Sequence, residues 1–157
     1  MLRIPVLLWV RLLRDLRRRG AGRRESGAFL LGVRGGGHDK VTAYACYDDL
    51  DPHALDSGIV VMDGKGFAAL WKLCRQRRLE VLGDVHTHAG PGPRQSEADR
   101  TNPMISEPGH MAFILPHFAG TWGWKFNDVA IYEYAGNYRW HDWAGPRRRE
   151  RVRFCLW

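Results

Sequence analysis

The residues best suited to chemistry lie in one stretch near the middle of the chain. It reads His86-Thr87-His88, followed after seven residues by Ser96 and, three positions later, by Asp99. Alternate residues of a strand face the same side, so His86 and His88 at the end of a predicted strand can reach one metal ion. Asp99, in the first turn of a predicted helix, can supply a third ligand. Two histidines and one aspartate leave a fourth tetrahedral position for water, as a catalytic zinc ion requires.

Such a centre also needs a base for the water and a donor for the developing oxyanion. Zinc would lower the pKa of the water toward neutrality and polarise a carbonyl group. Ser96 offers a hydroxyl group beside the predicted metal position. Glu25, at the mouth of a predicted strand, is the candidate base, although the sequence alone does not bring it next to His86. Ser96 and Asp99 also fit a helix capping box, a structural interpretation that is compatible with the catalytic one.

Together, Glu25, His86, His88, Ser96 and Asp99 resemble the JAMM motif of the JAB1/MPN/Mov34 metalloproteases. The resemblance covers about residues 24–135. It implies a single α+β domain, a mixed β-sheet packed with helices in a cytidine-deaminase-like architecture. That family cleaves isopeptide or peptide bonds after the C-terminal glycine of ubiquitin or ubiquitin-like proteins.

The resemblance also implies a role for each of these residues. His86, His88 and Asp99 would bind one Zn²⁺. Glu25 would hold and deprotonate the water and then pass the proton to the leaving amine, while Ser96 would stabilise the tetrahedral oxyanion. Ala89 stands where many relatives have proline, a departure that affects the shape of the loop and not the ligand set.

The small size of the chain and the sequence 100–103, Arg-Thr-Asn-Pro, look similar to bacterial members of the family. Those members belong to ubiquitin-like conjugation operons, including antiphage systems of the bacterial ISG-like and CBASS types. The implied partners are a ubiquitin-like substrate, its conjugates and E1/E2-like proteins of the same operon. Two alternatives stay open: processing of a ubiquitin-like sulfur-carrier protein, and a non-catalytic module that docks an acidic partner through arginine-rich ends.

Length and cysteine spacing exclude two other classes of zinc enzyme. The chain has 157 residues, too few for the barrel of roughly 250 residues that houses amidohydrolase-type H-x-H sites. Nucleobase deaminases need a P-C-x-x-C zinc pair, whereas Cys46, Cys74 and Cys155 are scattered. Scattered cysteines favour a reduced, cytoplasmic protein.

The formal charge of +7 is concentrated near the two ends of the chain. Residues 11–24 carry a net +6 and residues 147–153 a net +4, which leaves −3 for the remainder. This distribution argues against a nucleic-acid groove across the domain. The apolar run Ile4 to Val10 is too short to span a membrane, so neither nucleic acid nor a membrane is expected as a partner.

Hydrophobic periodicity and turn residues predict the elements that position the candidate site. All of them belong to one domain spanning 1–157. The first half contains a basic helix at about 4–19, a strand hairpin of Ala28–Val33 and Lys40–Tyr47, a short strand Gly58–Met62 and a helix Asp63–Arg78 capped by Asp63. The second half contains a strand Leu79–His88, a helix after Ser96 broken near Pro103, a buried strand Met111–Leu115, a final hairpin of Asp128–Tyr134 and Asn137–Trp143, and a basic end 146–157.

Several further side chains receive expectations of their own. The acidic loop from Asp48 to Asp56 is a candidate to meet basic residues near an extended substrate tail. His110 and His117 are interpreted as surface or strand-end residues. Trp122 and Trp124 are interpreted as packing residues rather than as the lining of a substrate groove.

Overall fold

The computed structural model describes residues 1–120 and 128–156, and its centre is a mixed sheet of eight strands in the order β7-β6-β5-β4-β2-β3-β1-β8. The strands are β1 Leu2–Pro5, β2 Gly27–Val33, β3 Asp39–Cys46, β4 Glu80–Thr87, β5 Met111–Leu115, β6 Ala130–Gly136, β7 Arg139–Asp142 and β8 Val152–Cys155. The helices are α1 Val6–Gly20, α2 Tyr47–Leu50, α3 Gly64–Arg77, α4 Glu97–Thr101 and α5 Arg148–Arg151. Short helical turns occupy His117–Ala119 and Gly145–Arg147.

Strand β4 lies in the middle of the sheet, antiparallel to β2 and parallel to β5. All of its residues after Glu80 are buried, as expected for a strand with neighbours on both sides. The predicted hairpins β2–β3 and β6–β7 are both confirmed, and β5 has the predicted bounds. The fold is a single α+β domain, as expected.

Helix α1 covers one face of the sheet, which we call the α1 face. Its buried residues Trp9, Leu12 and Leu16 recur at helical spacing, and they join Val85 of β4 and Phe113 of β5 in one apolar cluster. The Trp9 and Phe113 ring centroids lie 5.8 Å apart. The helix is therefore amphipathic, with its apolar side packed against the sheet.

Helix α3 covers part of the opposite face, which we call the site face. The Asp63 carboxylate accepts hydrogen bonds from the amides of Lys65 and Gly66 at 2.8 and 3.0 Å, so the predicted N-cap is confirmed. Leu70 of α3 packs into an apolar cluster with Phe29 of β2. This cluster covers only one part of the site face, and α4 lies over another part, near the end of β4.

Three predicted elements differ from the observed ones. The first helix begins at Val6 and not near residue 4, because Leu2–Pro5 pairs in parallel with β3 and β8, and Pro5 becomes the N-cap. Gly58–Met62 is not a strand; its apolar residues line a cavity described below. The basic end at 146–157 contains strand β8, which pairs in parallel with β1 and completes the sheet on that side.

The acidic segment from Asp48 to Asp56, predicted as a loop, begins within a short helix. Asp48 and Asp49 lie in α2, and their carboxylates pair with the Arg19 guanidinium at 2.6 and 2.9 Å. These two acids are thus engaged by a cation of the same chain, which weakens their candidacy as contacts for a substrate tail. Within the described residues, no helix is long and apolar enough to cross a membrane.

Candidate metal centre

Strand β4 and its continuation position the two histidines. His86 lies in β4 between Gly27 of β2 and Ile114 of β5. His88 follows the last residue of β4, but its amide still donates a hydrogen bond to the Leu115 carbonyl at 2.8 Å, which keeps the chain extended. The imidazoles therefore lie on one side of the sheet, with ring centroids 5.0 Å apart. The predicted same-face arrangement is confirmed.

The start of α4 positions the third candidate ligand. The Ser96 hydroxyl accepts a hydrogen bond from the Asp99 amide at 3.1 Å, and the Ser96 amide donates to Asp99 Oδ2 at 2.7 Å. This is the predicted capping box, and it holds the Asp99 carboxylate against the helix N-terminus. The Ser96 hydroxyl also donates to Asp99 Oδ2 at 2.8 Å. The structural and the functional interpretations of this pair therefore apply together.

Three potential ligand atoms converge at this point. His86 Nε2 lies 3.2 Å from His88 Nε2 and 3.4 Å from Asp99 Oδ1, and His88 Nε2 lies 3.2 Å from Asp99 Oδ2. Tetrahedral zinc with bonds of 2.0–2.1 Å holds its ligand atoms about 3.3 Å apart. The observed distances are close to that spacing and involve both carboxylate oxygens of Asp99, so the residues present fit Zn²⁺. Their donor atoms all lie within 4.8 Å of one another.

The electrostatics of the site favour positive charge. Burial alone would lower the pKa of His86, but hydrogen bonds and charge interactions with Asp84 and Asp99 outweigh it and raise the pKa to about 10. Burial would raise the pKa of Asp99, yet the contacts with His86 and His88 bring it well below the ordinary value. Both shifts report an environment that stabilises a cation next to ionised carboxylates.

A second carboxylate, which the sequence analysis did not assign, orients His86 from behind. Asp84 Oδ2 lies 3.4 Å from His86 Nδ1 and accepts the Tyr47 hydroxyl hydrogen at 3.1 Å, while Asp84 Oδ1 lies 2.7 Å from His110 Nε2. Burial would raise the pKa of Asp84, but the two histidines lower it to about 2. With Nδ1 held by Asp84, His86 directs Nε2 at Asp99. Carboxylates commonly support zinc-binding histidines in this way.

Gly27 allows Tyr47 to reach Asp84. A Cβ atom on Gly27 would lie 2.3 Å from Cε2 of Tyr47 and 2.7 Å from the Val85 carbonyl oxygen. Real Cβ atoms do not come this close, so the Tyr47 ring can lie over the sheet only where β2 has no side chain. Tyr47 is fully buried there, with its ring centroid 4.9 Å from that of Phe29.

Glu25 lines the same cavity as two of the three candidate ligands, His86 and Asp99. It precedes β2, and its amide donates to the Gly58 carbonyl at 2.9 Å. The cavity has a volume of about 590 Å³ and is also lined by His86, Ser96 and Asp99. Among the described residues, none forms a hydrogen bond or ion pair with the Glu25 carboxylate. The structure thus brings the candidate base to the site, which the sequence could not do.

The remaining walls of this cavity are largely apolar. Ile59 and Val61 are 54% and 56% exposed, although large aliphatic side chains are usually buried. The other apolar lining residues are Val60, Met62, Phe67, Ala98, Pro103, Met104, Ala112 and Trp140. An extended chain segment could contact this surface next to the metal site.

Sequence reasoning placed five residues at the site and missed three. The alternation of β4 could have revealed Asp84, because it is two residues from His86 and faces the same way. Tyr47 and His110 come from distant parts of the chain, and no local pattern marks them. His110 does precede β5, but it is 2% exposed, so the surface alternative for it is wrong. His117 is exposed, as expected, while Trp122 and Trp124 lie outside the described residues.

Comparisons with known proteins identify the family and the fold of this chain. Residues 8–126 match the family described as prokaryotic homologs of the JAB domain. The solution structure of a protein from Desulfitobacterium hafniense is similar, with a TM-score of 0.68 and 18% identity over 99% of this chain and 93% of that one. The solution structure of a Salinibacter ruber protein has a TM-score of 0.53 and 19% identity over 90% and 88% of the two chains. At these identities the likeness concerns the fold alone.

Proposed function

Since this chain belongs to the family of prokaryotic JAB-domain homologs, we propose that it is a zinc-dependent peptidase that cleaves after the C-terminal glycine of a ubiquitin-like protein. The scissile bond is an isopeptide bond to a lysine or a peptide bond in a precursor. The observation that carries the proposal is the convergence of the ligand atoms of His86, His88 and Asp99 beside a cavity that Glu25 and Ser96 also line.

Each residue has a role in the proposed hydrolysis. His86, His88 and Asp99 hold the metal, which when bound supplies Lewis acidity for the water and the scissile carbonyl. The Glu25 carboxylate takes a proton from the attacking water and delivers it to the amine nitrogen as the carbon–nitrogen bond breaks. The Ser96 hydroxyl, which donates to Asp99 at 2.8 Å, rotates to donate to the developing oxyanion.

The apolar wall supports a polypeptide substrate. Exposed Ile59 and Val61 precede α3 without belonging to a strand. We propose that an extended substrate tail lies along this segment, with main-chain hydrogen bonds and apolar contacts. The biological setting we propose is a bacterial ubiquitin-like conjugation pathway of the antiphage type, in the cytoplasm, with the conjugating E1/E2-like proteins as further partners.

The decisive experiment uses the ubiquitin-like proteins of the source genome, each fused at its C-terminus to a reporter. The zinc-loaded wild-type protein should cleave at least one fusion after the terminal glycine, and a chelator should stop the reaction. Glu25→Gln should lower the rate by about 10²- to 10⁴-fold, the usual contribution of a general base. Metal analysis should still find one zinc ion per chain in this variant, because Glu25 is not a ligand.

Glu97→Gln is the matched control, because Glu97 is an exposed acid in α4 that does not line the cavity. Its rate should equal that of the wild type. Cleavage of no fusion by zinc-loaded protein, or full activity of Glu25→Gln, would refute the proposed function.

A further inference from the structure

A second groove adjoins the cavity of the metal centre. It has a volume of about 830 Å³, and three arginines and three aromatic residues dominate its lining; we call it the basic groove. These residues are Arg94, Arg100, Arg139, Tyr132, Tyr138 and Trp140. Gln95 and Trp140 line both this groove and the metal-site cavity, so the two depressions lie next to each other.

A tertiary hydrogen bond holds the boundary between the two depressions in place. Trp140 Nε1 in β7 donates to the Arg100 carbonyl in α4 at 3.1 Å, and the Trp140 ring packs edge-on against Tyr134. The same short helix carries Asp99 on its cavity side. The basic groove is therefore fixed relative to the metal centre through α4 and β7.

The three arginines come from three elements and have no acidic partners among the described residues. Arg94 lies in the loop before α4, Arg100 in α4, and Arg139 begins β7; all three are exposed. Some arginines elsewhere in the chain are compensated: Arg19 pairs with two aspartates, and Arg34 pairs with Asp39 and Glu80.

Among the described residues that line the basic groove, Asp142 is the only acidic one. The three arginines therefore leave an excess of positive charge in the groove. The sequence of residues 121–127, Thr-Trp-Gly-Trp-Lys-Phe-Asn, contains no acidic side chain that could neutralise it. Three like charges facing one concave surface repel each other, and an anionic ligand would relieve that repulsion.

We propose that the basic groove binds a carboxylate-rich segment of the polypeptide whose bond lies at the metal centre. Guanidinium groups bind carboxylates through paired hydrogen bonds, and the flat rings of Tyr138 and Trp140 offer surface for the peptide chain. That the ligand is a polypeptide rests on the proposed function, because the groove adjoins the cavity where that function places a peptide bond.

The test measures binding without cleavage, in the Glu25→Gln background. The probe is a fluorescein-labelled peptide of alternating glutamate and glycine, followed by fluorescence anisotropy. We expect saturable binding that weakens as salt rises from about 0.05 M to about 0.5 M. Replacing all three groove arginines by glutamate should weaken binding by at least about tenfold, since each exposed charge pair contributes modestly and three act together. The milder triple change to glutamine should cause an intermediate loss.

The matched control reverses three other exposed arginines, Arg11, Arg14 and Arg17 of α1, which changes the net charge equally. This variant should bind the peptide as the parent does. Equal weakening in both triple variants would overturn the proposal, because it would indicate attraction by net charge alone. Unchanged binding by the groove variants, with melting temperatures like that of the parent, would overturn it as well.

Two further probes identify the ligand class. The matching peptide with glutamine in place of glutamate should bind at least about tenfold more weakly. An oligothymidylate of equal charge should also bind more weakly; tighter binding that depends on the groove arginines would overturn the proposal in favour of a phosphate-backbone ligand. If the protein binds the acidic peptide but cleaves no fusion, the proposed peptidase function is refuted and the proposed groove ligand is supported. If it cleaves fusions without binding the peptide, the groove proposal is refuted and the peptidase function is supported.

Discussion

The two faces of the central sheet are built from the same strands but have different contents. On the α1 face, Val85 of β4 packs with Phe113 and Leu12 in an almost entirely apolar layer. On the site face, the neighbouring residues Asp84 and His86 of the same strand are polar and buried. Because successive side chains of β4 face opposite sides of the sheet, the same strand contributes both to the apolar core and to the candidate metal centre.

The largest expected effect tests whether the α1 face supplies stability without contributing to the metal centre. Leu12→Ala removes a fully buried side chain and should lower the free energy of unfolding by about 3 kcal/mol, from lost burial and the cavity that remains. Zinc affinity of the folded protein, measured by competition with a chromophoric chelator, should not change. A parallel fall in zinc affinity would show that the two faces are not separable in this way.

A smaller effect is expected on the site face, where Asp84 orients a ligand instead of filling the core. Asp84→Asn keeps the volume but removes the negative charge behind His86, and it should lower zinc affinity by about 10- to 100-fold. The exposed pair His53–Asp56, with a Nδ1–Oδ2 distance of 2.8 Å, provides a control in Asp56→Asn, which should leave the affinity unchanged. Zinc affinity equal to wild type in Asp84→Asn would refute the positioning role of Asp84.

The smallest expected effect is a pH dependence confined to the site face. In protein stripped of metal by a chelator, the pKa of His86 in the folded state is about 10, above its ordinary value of 6.5. Protonated His86 therefore stabilises the fold fully below pH 6.5, and this contribution decreases as the pH rises toward 10. The melting temperature should fall between about pH 6.5 and about pH 8.5.

A comparison of variants shows how much of this pH dependence of the melting temperature comes from His86. The fall should be shallower in Asp84→Asn, which removes one of the groups that raise the pKa of His86. The pKa of exposed His53 is also raised, chiefly by its hydrogen bond to Asp56, so the Asp56→Asn variant measures that part separately. The same slope in Asp84→Asn as in the wild type would assign the effect to groups outside the site.

The sequence predicted the candidate metal ligands and Ser96 better than the residues that orient them. His86, His88, Ser96 and Asp99 lie within one short stretch, so strand alternation and the capping box were enough to bring them together. Glu25 was placed by family resemblance, since its approach depends on the pairing of β2 with β4. Tyr47 and His110 lie 37 and 26 residues from Asp84, and such contacts follow only from the folded sheet.

The strands of the fold differ in the same way: pairs of strands that are neighbours in the sequence were predicted, and the pairing of distant strands was not. Hairpins β2–β3 and β6–β7 carry their own turn and alternation signals, and both were predicted. The parallel pairing of β1 with β8 joins segments from opposite ends of the chain, and each of these strands has only four residues. Gly58–Met62 has the composition of a strand without a neighbour to pair with, and its apolar side chains line the metal-site cavity instead.

The pairing of β1 with β8 has a consequence for how the protein folds as it leaves the ribosome. Strand β1 is made before the residues of the metal centre, but its outer partner, Val152–Cys155, is made after all of them. Until then one edge of β1 has unpaired amides and carbonyls that another strand can join. We infer that the metal centre, whose residues lie between 25 and 110, can assemble on the nascent chain before the sheet is complete. Strand β8, four positions from β4 in the sheet, then covers this edge of β1, and a chain that stops short of Val152 would leave the edge of β1 open to other chains.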